Sequence, residues 1–116
     1  MLLVTDGISA TDMPDGRYGL GSDIVEVVDG ICRDAEGRLA GSTLTQEIAL
    51  RNFIGWTDWT FDEALLGLTL NPARALKLDK KGVLEPGADA DLVMMDENFR
   101  IMKTFVAGRL VFDRGM

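Results

Sequence analysis

The sequence predicts an α/β domain. Three observations carry that expectation: an apolar run that ends at a carboxylate, two stretches rich in strand formers and turn dipeptides, and a helical stretch between them. The run Met1-Leu2-Leu3-Val4-Thr5-Asp6 lacks polar alternation, the pattern of a strand buried on both faces of a parallel sheet. Asp6 then stands at the carboxyl end of that strand, where barrels and open parallel sheets place their functional side chains. Asp6-Gly7 is also a common turn dipeptide. From the residues alone, Asp6 is either a strand-end carboxylate with a chemical role or the start of a turn.

After Asp6, residues 7–16 are small and polar and close on Pro14-Asp15-Gly16, a turn signature. Arg17 to Leu20 and Asp23 to Val28 read as strands joined at Gly21-Ser22, a Gly-X link suited to a hairpin. Ile31 to Arg33 follows Asp29-Gly30 and extends the pair into an antiparallel meander too small to fold alone. Ala40-Gly41-Ser42-Thr43 links into a helix from about Gln46 to Ile54, with Ala49, Leu50, Phe53 and Ile54 on one face and Gly55 as its stop. Thr60-Phe61-Asp62-Glu63 is a capping box, and Phe61, Leu65 and Leu68 form the stripe of the helix it opens. Asn71-Pro72 starts a third, short helix with Ala73, Ala75 and Leu76 inward. Beyond Asp79 the pattern returns to sheet: a strand over 91–96, with Met94 and Met95 as core fillers, and a closing hairpin over 101–112 across Gly108-Arg109. In that hairpin Val106, Val111 and Phe112 supply the packing.

Size and composition narrow the function. At 116 residues the chain fits one small domain, and 47% apolar with 27% charged residues is globular composition. A net charge of -7, with no basic run longer than the pair Lys80-Lys81, argues against nucleic acid as a partner. The lone Cys32 forms no internal disulfide, which suits a reducing, cytoplasmic compartment, and without a histidine partner it reads as packing. No apolar run approaches membrane-spanning length and the N-terminus lacks signal-peptide features, so no membrane association is expected. Neither a G-x-x-x-x-G-K nor a G-x-G-x-x-G pattern is present, and Asp89, Asp91 and Asp96 lack the spacing of a calcium loop. Trp56 and Trp59 suit either a sugar-stacking face or a core.

Four segments, in this order and spacing, resemble the N-acetylglucosamine-6-phosphate deacetylases of the amidohydrolase superfamily. They are Val4-Thr5-Asp6; Leu39-Ala40-Gly41-Ser42-Thr43-Leu44-Thr45; Asn71-Pro72-Ala73-Arg74-Ala75; and the run from Gly82 to Val93. The last two are widespread among amidohydrolases, and the first two point to the deacetylases. The resemblance covers nearly the whole chain but only the family's C-terminal third. A complete (β/α)8 barrel takes roughly 250 residues.

The resemblance implies the C-terminal segment of a metal-dependent-hydrolase (β/α)8 barrel followed by strands of a small β-sandwich. Residues 1–11 correspond to the last barrel strand and catalytic loop, 12–39 to a hairpin insertion, 40–80 to barrel helices and 81–116 to sandwich strands. It implies hydrolysis of N-acetylglucosamine 6-phosphate to glucosamine 6-phosphate and acetate, a step of amino-sugar catabolism. Asp6 would act as general base and then general acid. Leu39, Ala40 and Gly41 would hold the sugar, small side chains letting backbone groups approach it. Gly7 stands where the family more usually has alanine. The divalent metal, zinc or similar, sits in the family on a glutamate and histidines of earlier strands, and with no histidine at all this chain has no counterparts. No metal ligand, no bound metal and no activity are expected of the isolated chain. Its expected partners are a phosphorylated amino sugar, the missing N-terminal barrel portion and, as a homo-oligomer, further copies of itself. A truncation, a split gene or a partial expression product would each account for the length. Two other readings stay open: a non-catalytic α+β module that self-associates or binds a partner, and a fragment of an amidohydrolase acting on another amide.

Overall fold

The computed structural model describes residues 1–115. The chain divides into two units, one formed by residues 4–49 and the other by residues 1–3 with 50–115.

The first unit is built on a meander of β1 (Gly16–Leu20), β2 (Asp23–Val28) and β3 (Ile31–Arg33), all antiparallel in the order β1-β2-β3. Each link is two residues long, and the sequence marked both. Gly21 takes the left-handed conformation (φ 60°) that the first position of such a turn needs, while Asp29 (φ 52°) and Gly30 (φ 75°) supply a consecutive left-handed pair. The Asp15 carboxylate accepts from the N–H groups of both Asp29 (2.7 Å) and Gly30 (3.1 Å), which fixes that turn. Alternation along β2 puts Val25 and Val27 inward with Ala10 and Cys32, and Ile8, Tyr18, Leu20 and Ala40 pack around them. Cys32 is buried and unbonded, as its reading as a packing residue requires.

Residues 1–6 depart from expectation. The apolar run predicts a buried parallel strand, but among the described residues it forms none: the nearest sheet-like contact is a parallel bridge from Gly7, one residue past the run, to Ser42. Val4 is 76% exposed. A parallel strand exists only through hydrogen-bonded neighbours and covered faces, and among the described residues no strand pairs with residues 1–6.

α1 (Gln46–Trp56) leads from the first unit into the second and runs through Gly55 rather than stopping there. Glycine weakens a helix interior by only about 1 kcal/mol, so a single Gly in the last turn is tolerated. In the second unit α2 (Phe61–Leu65) begins as the sequence indicates. The Thr60 hydroxyl accepts from the Glu63 N–H, and the Glu63 carboxylate accepts from the Thr60 N–H at 2.8 Å. Its buried residue is Ala64, with Phe61 on the exposed side. α3 (Leu70–Ala75) starts after Thr69, two residues earlier than the Asn-Pro signal suggests. The Asn71 amide is thereby free of capping and donates to the Met1 carbonyl at 2.8 Å, while the Leu3 N–H donates to the Gly67 carbonyl at 3.0 Å. Ala73 is buried as expected; Leu76 is exposed, because the helix has already ended at Ala75.

The second sheet is β4 (Leu92–Met95), β5 (Ile101–Val106) and β6 (Arg109–Asp113), again antiparallel and in chain order. Its hairpin turns at Ala107-Gly108, both left-handed, one residue before the Gly108-Arg109 link the sequence suggests. The Asp91 carboxylate accepts from the Ala107 N–H at 2.8 Å and thus anchors that turn to the start of β4. Met94, Val106, Val111 and Phe112, expected as packing, are exposed. Trp59 meets Phe53 edge-on at 5.4 Å, and Trp56 is 81% exposed, so only Trp59 of the pair packs.

Hydrogen bonding sets the acid response of both units. Backbone and side-chain donors from Arg38 hold Asp34 below the usual carboxylate range, donors from Thr60 do so for Glu63, and Lys81 with the Ala107 N–H for Asp91. Asp96 and Asp113 are lowered in the same direction by the Arg100 N–H and by Lys103. A carboxylate lowered by folding stabilises fully above its unfolded value, near 4, and loses that stabilisation as pH falls through the folded value. Thermal melting is therefore expected to hold steady from about pH 7 to about pH 5 and to fall below about pH 4. A melting midpoint that rose on acidification would contradict this linkage.

Candidate functional site

The candidate site lies wholly within the first unit, and its centre is one backbone bond. The Ser42 N–H donates to the Asp6 carbonyl at 2.9 Å, which draws the loop after the apolar run against the segment that carries Leu39, Ala40 and Gly41. Asp6 takes a left-handed conformation, φ 51°. Aspartate and asparagine enter that region several-fold more readily than most residues. The Asp6 side chain is exposed and makes no hydrogen bond or ion pair among the described residues. It is thus a carboxylate displayed to solvent with its backbone fixed.

Gly41 makes the close approach possible. Its φ is +69°, and a Cβ placed there would lie 2.3 Å from Ile8 Cγ2 and 3.3 Å from the Asp6 carbonyl oxygen. Leu39 bridges Arg33 of β3 and is 72% exposed, whereas Ala40 turns toward the core and donates its N–H to the Cys32 carbonyl at 3.1 Å. Leu39 and Gly41 line an open cleft of about 330 Å³ together with Ile31, Cys32, Thr43 and Ile48. Neither Asp6 nor Ala40 belongs to its lining. The structure thus brings Asp6 and Gly41 together through backbone, puts Leu39 on the cleft, and gives Ala40 a packing neighbourhood.

Two further residues shape the site. Ser42 bonds through its N–H to Asp6, and its hydroxyl accepts from the Leu44 N–H at 2.9 Å. Thr11 accepts from the Ile8 N–H at 2.8 Å and donates to the Ser42 carbonyl at 2.7 Å. A Cβ on Gly7 would come within 3.2 Å of that Thr11 hydroxyl, so alanine at position 7 would press on it. Nothing in the sequence singled out Thr11; its place three residues after Ile8 fits a local hydroxyl turn, but its bond to Ser42 has no sequence signature.

The chain's own side chains do not fit a divalent metal. It has no histidine, and among the described residues no group of three His, Cys, Asp or Glu side chains could hold one. Lys81 sits between Asp89 (3.0 Å) and Asp91, so those two carboxylates already share one cation. Among the described residues no helix is long and apolar enough to cross a membrane.

Comparison with known proteins adds a consistent set of likenesses. The amidohydrolase family model matches residues 2–111. The N-acetylglucosamine-6-phosphate deacetylase of Vibrio furnissii is 41% identical over 114 residues, covering 97% of this chain and 29% of that protein. The N-acetylgalactosamine-6-phosphate deacetylase of Escherichia coli O157:H7 is 40% identical over 111 residues, covering 95% of this chain and 29% of that protein. The crystal structure of the Thermotoga maritima N-acetylglucosamine-6-phosphate deacetylase matches with a TM-score of 0.87 at 39% identity, covering 97% of this chain and 31% of that one. The chain thus spans under a third of the length of these relatives.

Proposed function

The chain belongs to the amidohydrolase family, and we propose that it supplies the C-terminal third of a deacetylase that hydrolyses the acetamide of an N-acetylhexosamine 6-phosphate. Asp6 takes a proton from the attacking water and returns it to the leaving amine, the roles of general base and then general acid. Leu39, Ala40 and Gly41 form part of the sugar cradle. Residues 1–11 act as the last barrel strand and catalytic loop, 12–39 as an insertion, 40–80 as barrel helices and 81–116 as sandwich strands. The metal on which such barrels depend takes its ligands from outside this chain, whose own part is proton transfer and sugar positioning. A cytoplasmic setting suits the free Cys32, and the unpaired sheet edges suit assembly with the rest of the barrel and with further copies.

The observation that carries this reading is the Ser42 to Asp6 backbone bond, which joins the proposed proton carrier to the proposed sugar cradle. The test is to join this chain to the remaining length of the Vibrio furnissii relative, load the product with zinc and measure acetate release. Release from N-acetylglucosamine 6-phosphate is expected. A folded, metal-loaded product that releases none would remove the reading. The similarity to an N-acetylgalactosamine-6-phosphate deacetylase at nearly the same identity supports a second substrate, the 4-epimer. Assayed side by side, the epimer with the larger kcat/KM is the substrate.

A further inference from the structure

We infer that Thr11 is a positioning residue for Asp6, its hydroxyl splicing the Asp6 loop to the sugar-cradle loop and so setting where the carboxylate stands. The inference rests on the reading of Asp6 given above. In regular parallel pairing, the residue opposite Gly7 donates its N–H to residue 6 and accepts from the N–H of residue 8. Here the first bond is present, Ser42 N–H to the Asp6 carbonyl at 2.9 Å. For the second, the Ile8 N–H donates to Thr11 Oγ1 at 2.8 Å, and that hydroxyl donates onward to the Ser42 carbonyl at 2.7 Å.

One side chain thus stands inside a backbone ladder. A hydroxyl has one proton to give and lone pairs to receive with, and Thr11 uses both functions here. The two bonds flank Asp6, one at its own carbonyl and one two residues on, at a residue whose left-handed backbone needs holding in place. Thr11 is half-buried, which limits replacement of the hydroxyl by solvent. Its β-branch restricts χ1, so the oxygen is aimed rather than free to rotate away. Thr11 acts through Asp6, and misplacing a catalytic group by about 1 Å can cost about 100-fold in rate.

Thr11→Val keeps the shape and removes both bonds, and Thr11→Ser restores the hydroxyl. In the 116-residue chain, amide hydrogen exchange at Ile8 and Ser42 is expected to speed up at least tenfold in Thr11→Val, with Val25 and Val27 unchanged and Thr11→Ser close to the parent. Unchanged exchange at Ile8 and Ser42 would overturn the inference. So would a uniform rise that includes Val25 and Val27, because the hydroxyl would then merely hold the unit together. In the joined enzyme, Thr11→Val is expected to lower kcat about 10- to 100-fold with KM within about twofold, and Thr11→Ser to recover it. A kcat within twofold of the parent would overturn the positioning role. The Asp6→Asn enzyme separates the two failures: if it is fully active while exchange in Thr11→Val is locally faster, Asp6 carries no chemistry and the splice is only a structural bond.

Discussion

Asp6→Asn, placed in the joined enzyme, is expected to slow turnover by at least about 100-fold, the lower range for loss of a general acid-base group. That factor corresponds to about 2.7 kcal/mol of transition-state stabilisation. Asparagine is the informative replacement because position 6 is left-handed (φ 51°). Asparagine enters that region nearly as readily as aspartate, so the backbone bond to Ser42 survives and only the proton acceptor is lost. Alanine there would add backbone strain and blur the result. KM should change little, since Leu39 to Gly41 are untouched. Turnover within a few-fold of the parent would mean that Asp6 is a turn residue, the bland reading its Asp-Gly dipeptide always allowed.

Gly41→Ala should produce the largest loss of stability among single substitutions at the site. Two costs combine: an L side chain at φ +69° costs about 1–2 kcal/mol, and a Cβ 2.3 Å from Ile8 Cγ2 forces repacking at about 1–3 kcal/mol. Together they predict a loss of about 2–5 kcal/mol, read from the urea midpoint. Gly30→Ala is the matched control. Its φ is +75°, but its Cβ would meet only Thr43 Oγ1 at 4.0 Å, so it should lose the conformational part alone, about 1–2 kcal/mol. Equal losses at the two positions would show that the approach of Gly41 to Ile8 carries no energetic weight. Because Ile8 follows Asp6 so closely, Gly41→Ala should also lower turnover in the joined enzyme.

The parts that were legible in the sequence are those whose cause is local. Gly21-Ser22 and Asp29-Gly30 encode turn geometry directly, and the Thr60 to Glu63 box names its own hydrogen bonds, so both features stand where the residues put them. The run at 1–6 forms no strand within this chain because being a parallel strand is a property of neighbours, and apolar character alone does not supply them. Asn71 read as a cap, but a start at Leu70 freed its amide for Met1, a partner no local pattern indicates. At the site, Asp6 stands out as the carboxylate that ends the apolar run, whereas Leu39 to Gly41 are legible only through motif resemblance. Thr11 was missed because its meaning lies in a bond to a residue 31 positions away.

The two links that meet at Ser42 also fix an order of events. They close a stretch of chain that contains β1, β2 and β3. Closing such a ring from an open coil forfeits entropy that grows with the logarithm of its length. The strands it contains are joined by two-residue turns, and hairpins of that kind form in about 1–10 μs. Once they pair, the ring is effectively short. The meander is therefore expected to pair before the carboxylate's loop docks onto it. A variant that slows the meander, however far from Asp6, is therefore expected to delay the arrival of a competent site.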